Sequence, residues 1–522
     1  MPWTFDRILA RTERVVAPSD QAVIHGERIL TWGQLNARSN SLAAGLLAHG
    51  AAPGDKVAHY LRNGPEYIET SAACFKTGMV HVNVNYRYTA NELFYLFDNA
   101  DAAVIVYDRD FASRIAELRE RLPKVKLFIE AGGVAPLNGF ALPYESIAAG
   151  AYHFVPPAMP DDPLLFIYTG GTTGMPKGVM WRHEDLWAAL GGVNVDLDVF
   201  EADLRAGKRG TRALICPPLM HGAGYMIALL HLLRGGTVMM AAGAGFDAQA
   251  VLGMIDAHRP LMMLIVGDAF GRPLADALAA PAREYDLSSL QAVVSSGAAW
   301  SAGVKDALMA AMPGVRCLDA LGSSEVVGLG VNVRAGGTGG AMRFKADAMT
   351  RVIADDGSLV QPGSGVAGRI ARAGPVPLGY YKDPEKSAKT FVVIDGVRHA
   401  LPGDYATVEA DGSIKLLGRG NLVINSGGEK IFVEEVEEAL KKHAAVRDAL
   451  VFGVADAVWG QAVTAVVEAS GVSMEDLREF LARDLARYKL PKRILFVEQV
   501  PRGPTGKANY AAAMELTKGE QG

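Results

Sequence analysis

Cysteine is scarce in this chain: Cys74, Cys216 and Cys317 are the three among 522 residues. They are widely spaced and odd in number. No disulfide framework or metal-binding spacing follows, so a reducing compartment is expected. An excess of basic charge is missing as well. Lys and Arg number 52 against 57 Asp and Glu, for a net charge of −5, which removes the electrostatic case for nucleic acid as a partner. No apolar run reaches the roughly 18 residues of a membrane span. The first residues, Met1-Pro2-Trp3-Thr4-Phe5-Asp6-Arg7, lack the basic start and apolar core of a signal peptide. A cytoplasmic location is the expectation, with no nucleic-acid partner and no transmembrane span. Peripheral membrane contact and a homodimer are both compatible with these counts.

Several nucleotide fingerprints are absent too. No Gly-x-Gly-x-x-Gly stands in its place between a strand-like run and a helix, and Gly243-Ala244-Gly245 is too short to count. Gly506-Lys507 is not a P-loop, because Ala508 follows and Pro501 takes the first glycine's place. There is no serine nucleophile elbow, no internal repeat and no low-complexity tract.

The length is too great for one hydrophobic core and suits a large domain with a smaller one. Strand-like and helix-like runs alternate through most of it. Val80–Val84, Ala103–Tyr107, Val125–Ile129, Ala213–Cys216, Thr237–Ala241, Leu261–Val266, Leu290–Ser295 and Val315–Asp319 read as strands. Thr31, Thr89, Asp247 and Ser301 stand where helix caps belong, and Phe111–Leu122 reads as a helix. This is the rhythm of an α/β fold with mostly parallel sheets. Residues 352–372 look β-rich. From about residue 420 the pattern shifts to a charged helix at Glu434–His443, strands near Ala449–Val454, Ala462–Glu468 and Ile494–Val497, and a helix after Ser473 with Asp476 in capping-box position. The expected division is residues 1–419 as a large domain and 420–522 as a small α+β domain.

The stretch Tyr168-Thr169-Gly170-Gly171-Thr172-Thr173-Gly174-Met175-Pro176-Lys177-Gly178 organises the rest. It lies between an apolar run, Leu164–Ile167, and a second strand-like start at Val179. Four glycines, three threonines and one lysine suit polyphosphate. Glycine lets backbone N–H groups approach anionic oxygens, hydroxyls add donors, and Lys177 adds a point charge. By itself the loop reads equally well as a flexible surface turn.

Other segments are weaker alone. His221, in Pro218-Leu219-Met220-His221-Gly222-Ala223-Gly224, sits between a strand and a helix, either capping locally or lining a cavity. Gly297-Ala298-Ala299 is a tight turn against which a flat base could lie. In Leu321-Gly322-Ser323-Ser324-Glu325, Ser324 could donate to phosphate and Glu325 could ligate a hard cation through oxygen. Asp404, after Pro402-Gly403, could accept two hydroxyl donors. Lys507 is presented by Pro501-Arg502-Gly503-Pro504-Thr505-Gly506 on a constrained turn; a solvated tail lysine is the plain alternative.

Together, in this order from residue 168 to 507, these segments resemble the adenylate-forming superfamily of acyl-CoA synthetases, non-ribosomal adenylation domains and firefly-type luciferases. The resemblance implies a phosphate loop at Thr169, Gly170, Gly171, Thr172, Thr173, Gly174 and Lys177, with Gly170 where serine is usual. It implies adenine beside Gly297, Ala298 and Ala299, and phosphate and Mg²⁺ contacts at Gly322, Ser323, Ser324 and Glu325. Leu321 stands in for the usual adenine-stacking aromatic. Ribose would be held by Asp404 and Arg419, and His221 would lie near an acyl tunnel. Lys507 would bridge the acyl carboxylate and the α-phosphate. Gly427, Gly428, Glu429 and Lys430 would form a loop meeting the CoA pantetheine once the small domain turns about residue 421. That hinge is Asn421 rather than the usual charged residue, and Val433 replaces a proline.

The implied activity is an ATP-dependent acyl-CoA ligase using ATP, Mg²⁺ and CoA, with Lys507, Glu325 and His221 at the chemistry. Three phrases resemble the bacterial branch containing steroid side-chain CoA ligases: 174–182, Val266-Gly267-Asp268-Ala269-Phe270-Gly271-Arg272-Pro273-Leu274, and 424–430. The expected substrate is therefore a bulky, hydrophobic carboxylic acid. The alternatives are a medium/long-chain fatty-acid or aryl-acid CoA ligase, an adenylating enzyme with a non-CoA acceptor, and a nucleotide sensor without catalysis.

Overall fold

The computed structural model describes residues 3–169, 175–191, 196–243, 245–298, 300–334, 343–345, 347–419, 422–426, 429–456, 460–485, 487–503 and 506–517. Two eight-stranded sheets form the body. In one, the strands Arg316–Leu321, Ala292–Ser296, Met262–Ile265, Arg212–Ile215, Thr237–Met240 and Gln21–His25 run side by side and parallel. In the other, Leu164–Thr169, Val80–Asn83, Lys56–Tyr60, Ala102–Asp108 and Leu127–Ala131 do the same. Helices cover both faces, so the strands read as continuous apolar runs, which is how parallel sheets are buried.

An antiparallel seven-stranded sheet from residues 343–419 follows, and then a smaller five-stranded sheet from residues 423–497. This smaller unit has its own core, with Ile431, Val436, Leu440, Val451, Val463 and Leu477 all buried.

Local chemistry accounts for the element ends. Thr31, Thr89 and Ser473 each form a reciprocal capping box, with Gln34, Glu92 and Asp476 respectively. Asp247 accepts from the N–H groups of Gln249 and Ala250. Ser301 departs from expectation. It precedes the helix Ala302–Ala311 but makes no side-chain cap; its hydroxyl donates instead to Asp268 Oδ1 at 3.0 Å. The helix expected over 111–122 is shorter, Ala112–Leu118, with a 3-10 turn at each end.

The expected loop at 425–431 is a hairpin. Val423–Ser426 pairs antiparallel with Glu429–Phe432. The apolar residues Ile424, Ile431 and Phe432 are buried there, and that burial favours strands over open loop. Gly427, Gly428 and Asn421 lie outside the described residues.

The body encloses a buried polar cluster. His59 Nδ1 lies 3.0 Å from the Val57 carbonyl and its Nε2 lies 3.2 Å from His81 Nδ1. The donors are therefore His59 Nδ1–H and His81 Nδ1–H, both rings neutral. His81 stacks on Tyr225 at 4.2 Å, and the Tyr67 hydroxyl donates to the Leu219 carbonyl at 3.2 Å. His183 is buried the same way: it stacks on Phe5 at 4.2 Å and accepts from the Phe5 N–H at 3.3 Å. Burial pushes the His183 imidazole down to about 3.

The unfolded chain, whose histidine titrates near pH 6.5, binds a proton that the folded chain refuses. The stability held by neutral His183 is complete above pH ~6.5 and is lost as pH falls toward its folded value, by about 1.4 kcal/mol per pH unit. Replacing His183→Phe keeps the stack and removes the titration. In urea unfolding from pH 7 to 5, wild type is expected to lose about 2 kcal/mol more than the variant; parallel curves would refute this.

Candidate active site

The strands Leu164–Thr169 and Lys177–Arg182 form a hairpin in which Thr169 faces Lys177. The loop expected to bind phosphate joins them. Its residues Gly170, Gly171, Thr172, Thr173 and Gly174 lie outside the described residues, but both of its posts are well held. Asn83 ends a buried strand and does most of the holding. Its carboxamide oxygen accepts from the Tyr168 N–H at 2.6 Å, and its Nδ2 donates to the carbonyls of Tyr168 (2.9 Å) and Met220 (2.5 Å). One side chain therefore ties the start of the phosphate loop to the turn carrying His221. Asn63 assists from the other side, accepting from the Leu219 N–H at 2.7 Å.

His221 is the residue before the helix Gly222–Leu233 and makes no side-chain cap. The plain local-cap reading is thus set aside. Its Nε2 is buried with no hydrogen-bond partner among the described residues. Burial, then the nearby charges of Lys507 and Arg87, push its imidazole down to about 3. It is a neutral ring at physiological pH, with a polar atom aimed into the site.

Behind it the chain is tight. A methyl added at Gly222 would lie 3.3 Å from Ile167 Cγ2 and 3.5 Å from the Ser324 hydroxyl. The phosphate-loop strand, the His221 helix and the 322–325 turn therefore converge on one spot.

Gly322, Ser323, Ser324 and Glu325 follow the strand Arg316–Leu321. The Ser324 carbonyl accepts from Trp181 Nε1 at 2.8 Å, fixing this turn to the phosphate-loop hairpin. Glu325 Oε1 accepts from the Tyr380 hydroxyl at 2.7 Å. Lys177 forms an ion pair with Asp383 and lies 5.8 Å from the Tyr380 ring centroid. Lys177 first, and the Lys386 N–H second, hold the Asp383 carboxyl below the usual carboxylate range.

Among the described residues no three metal-ligating side chains gather. Glu325 still fits Mg²⁺. One oxygen is oriented by Tyr380, the other is a hard donor, and this ion commonly takes one or two carboxylates and fills its shell with phosphate oxygens and water.

The remaining predicted residues lie in three places. Asp404 is buried and faces Arg419 directly across the antiparallel pair Asp404–Val408 and Ser413–Arg419. Gly297 has φ +88°, a left-handed angle that suits glycine. Lys507 Cε comes within 3.8 Å of where a Gly297 Cβ would sit, so the smaller unit delivers its lysine to the Gly297–Ala298 turn beside His221. Ala299 lies outside the described residues. Glu429 and Lys430 open the second strand of the hairpin in the smaller unit's sheet.

Asn83, Tyr380 and Asp383 went unnoticed in the sequence, and Trp181 stood there only as part of the 174–182 phrase. The one available signal was a lone amide ending the apolar strand Val80–Asn83.

Tyr380→Phe removes the hydroxyl and keeps the ring packed near Phe391, whose centroid is 5.7 Å away. A hydrogen bond to a charged group is worth about 1.5–3 kcal/mol. A drop of tenfold or more in kcat/KM for MgATP is expected, with thermal melting unchanged; an unaltered MgATP dependence would remove Tyr380 from the site. Asn83→Ala leaves buried backbone groups unpaired at about 1–3 kcal/mol each, so both stability and turnover should fall.

The model of the AMP-binding enzyme family matches residues 11–381, and that of the AMP-binding enzyme C-terminal domain matches 435–507. A medium/long-chain-fatty-acid–CoA/3-oxocholest-4-en-26-oate–CoA ligase of Mycobacterium tuberculosis is 42% identical over 517 residues, covering 96% of this chain and 94% of that protein. The 3-oxocholest-4-en-26-oate–CoA ligase of Rhodococcus rhodochrous is 40% identical over the same shares of each. Among solved structures, the anthranilate CoA ligase AuaEII in complex with anthranoyl-AMP superposes with a TM-score of 0.82 at 22% identity, covering 99% of this chain and 97% of that one. The chain belongs to the AMP-binding enzyme family and is an AMP-forming acyl-CoA ligase.

Proposed function

We propose that this ligase activates a bulky, hydrophobic carboxylic acid of the steroid side-chain or medium/long-chain fatty-acid type. The relatives named for such acids, about 40% identical along nearly the whole chain, support this reading. The observation that carries the chemistry is the approach of Lys507 to the Gly297 turn beside a neutral, unpartnered His221.

ATP, Mg²⁺ and CoA serve the reaction. In the first half, a carboxylate oxygen of the acid bonds to the α-phosphorus of ATP. The bond from that phosphorus to the bridging oxygen breaks, and pyrophosphate leaves. Charge concentrates where carboxylate meets phosphorus, and the Lys507 ammonium is the group positioned to offset it. Glu325 would hold Mg²⁺, which would supply further neutralisation of phosphate charge. Lys177, released from Asp383, takes the phosphate tail, and Asp404 with Arg419 takes the ribose. In the second half, the deprotonated CoA sulfur attacks the acyl carbon and AMP departs.

We divide the chain at residues 418–421, with 1–419 binding nucleotide and acid and 420–522 turning about Asn421 between the halves. Gly418 has φ +115°, and a methyl there would run into the Glu434 carboxylate. That close approach at the junction supports the placement. Three free cysteines fit a cytoplasmic setting, and no described helix is long and apolar enough to cross a membrane.

The test is mass spectrometry of reactions with ATP, Mg²⁺ and CoA across short to long fatty acids, aryl-propanoic acids and steroid side-chain acids. Acyl-CoA from the bulky acids is the expected product; thioester from aryl acids alone would overturn the substrate reading. Lys507→Ala should lower acyl-adenylate formation by about 10²–10³-fold, and unchanged adenylation would remove Lys507 from the chemistry.

A further inference from the structure

The phrase Gly267-Asp268-Ala269-Phe270-Gly271-Arg272-Pro273-Leu274, singled out in the sequence as a branch signature, has no part in the chemistry above. It forms the first two turns of the helix Gly267–Ala279. The helix has two faces. Phe270, Gly271 and Leu274 are buried against the larger unit; a methyl at Gly271 would lie 2.8 Å from Trp300 Nε1. Asp268, Ala269, Arg272 and Asp276 occupy the other face, at the three- and four-residue spacing that aligns side chains along a helix.

That second face meets the smaller unit. Gly506, with φ +77°, packs so close to Ala269 that an added methyl would overlap the alanine Cβ. Arg272 Nη2 donates to the Arg447 carbonyl at 3.0 Å, and Arg447 lies 3.7 Å from Asp276. Asp268 uses one oxygen for the Ser301 N–H and hydroxyl, at 2.9 and 3.0 Å. Its other oxygen is buried without a hydrogen-bond partner among the described residues. The Asp268 charge acts on Lys441 and Arg502 of the smaller unit.

The described residues on either side of the turn bearing Lys507 are tied down. Arg502 donates to Asp448 Oδ1 at 2.6 Å and to the Gly506 carbonyl at 3.1 Å, and the Gly503 N–H donates to the Lys507 carbonyl at 2.7 Å. Through these bonds the seating of Gly506 carries to the adjoining lysine.

We propose that the Asp268–Ala269–Arg272–Asp276 face is the seat on which the smaller unit docks for adenylate formation, with the Ala269–Gly506 contact setting Lys507 at the Gly297 turn. This rests on the ligase reading. These four side chains are positioning residues: they act on the first half-reaction through Lys507. The thioester half, for which the smaller unit leaves this seat, does not need them.

The test measures the two halves separately in the full chain. Pyrophosphate release from acid and MgATP without CoA reads the first. Thioester formation from synthetic acyl-adenylate and CoA reads the second. Ala269→Leu lifts Gly506 off the helix, and a displacement of about 1 Å at a catalytic group costs on the order of a hundredfold. Pyrophosphate release should fall by about that factor, and thioester formation should stay within about twofold. Arg272→Ala should show the same split at roughly three- to tenfold; as a partly exposed side chain it carries the test should Ala269→Leu fail to fold. Equal loss in both halves, or undiminished pyrophosphate release, overturns the proposal. Wild type that releases no pyrophosphate with any acid would instead overturn the ligase reading, before any variant is compared.

Discussion

A lysine carried by one folded unit must reach a turn of another, and the rest of the molecule is arranged around that reach. Lys507 lies against the Gly297 turn, which glycine holds at φ +88°, and glycine at 506 lets the two backbones close on Ala269. A side chain at 506 would overlap Ala269 and hold the lysine's turn off the helix. The field of an ammonium falls quickly once water enters between it and its target. The approach therefore has to be a steric fit, made by small residues on both sides.

The stationary half of the site is built the opposite way, by rigid polar anchoring. Asn83 satisfies three backbone groups at the junction of two sheets, and Trp181 pins the Ser324 carbonyl to the phosphate-loop hairpin. Tyr380 orients Glu325. Lys177 and Asp383 hold one another as an ion pair, which keeps the loop lysine in place at the rim. Such anchors cost little when every polar atom finds a partner and are expensive to break. His221 is the exception, with a buried nitrogen left over for whatever fills the space in front of it.

The fold was largely legible in the chain itself. Apolar runs of four to six residues alternating with capped helices are enough to indicate parallel sheets, because burial on both faces demands those runs. The capping boxes at Thr31, Thr89 and Ser473 are local chemistry and emerged as expected. The Ser301 cap and the 425–431 loop were misread because tertiary contacts overrode the local reading. Asp268 captured the Ser301 hydroxyl, and burial of Ile431 and Phe432 drew the loop into a hairpin. Motif order carried the family. The anchors Asn83, Tyr380 and Asp383 belong to no local pattern, since each acts across tens to hundreds of residues.

By itself, the sequence determined the sheet-and-helix rhythm, the glycine-rich phosphate loop, and the separate lysine, carboxylates and histidine that make adenylation chemistry conceivable. Those are properties of residue type and spacing, and they survive without coordinates. Only the tertiary structure decided which groups meet: Lys507 with Gly297, Tyr380 with Glu325, and the Gly267–Ala279 helix with the smaller unit. Each meeting depends on packing between segments far apart in the chain, and no periodicity within a segment encodes the partner it will face.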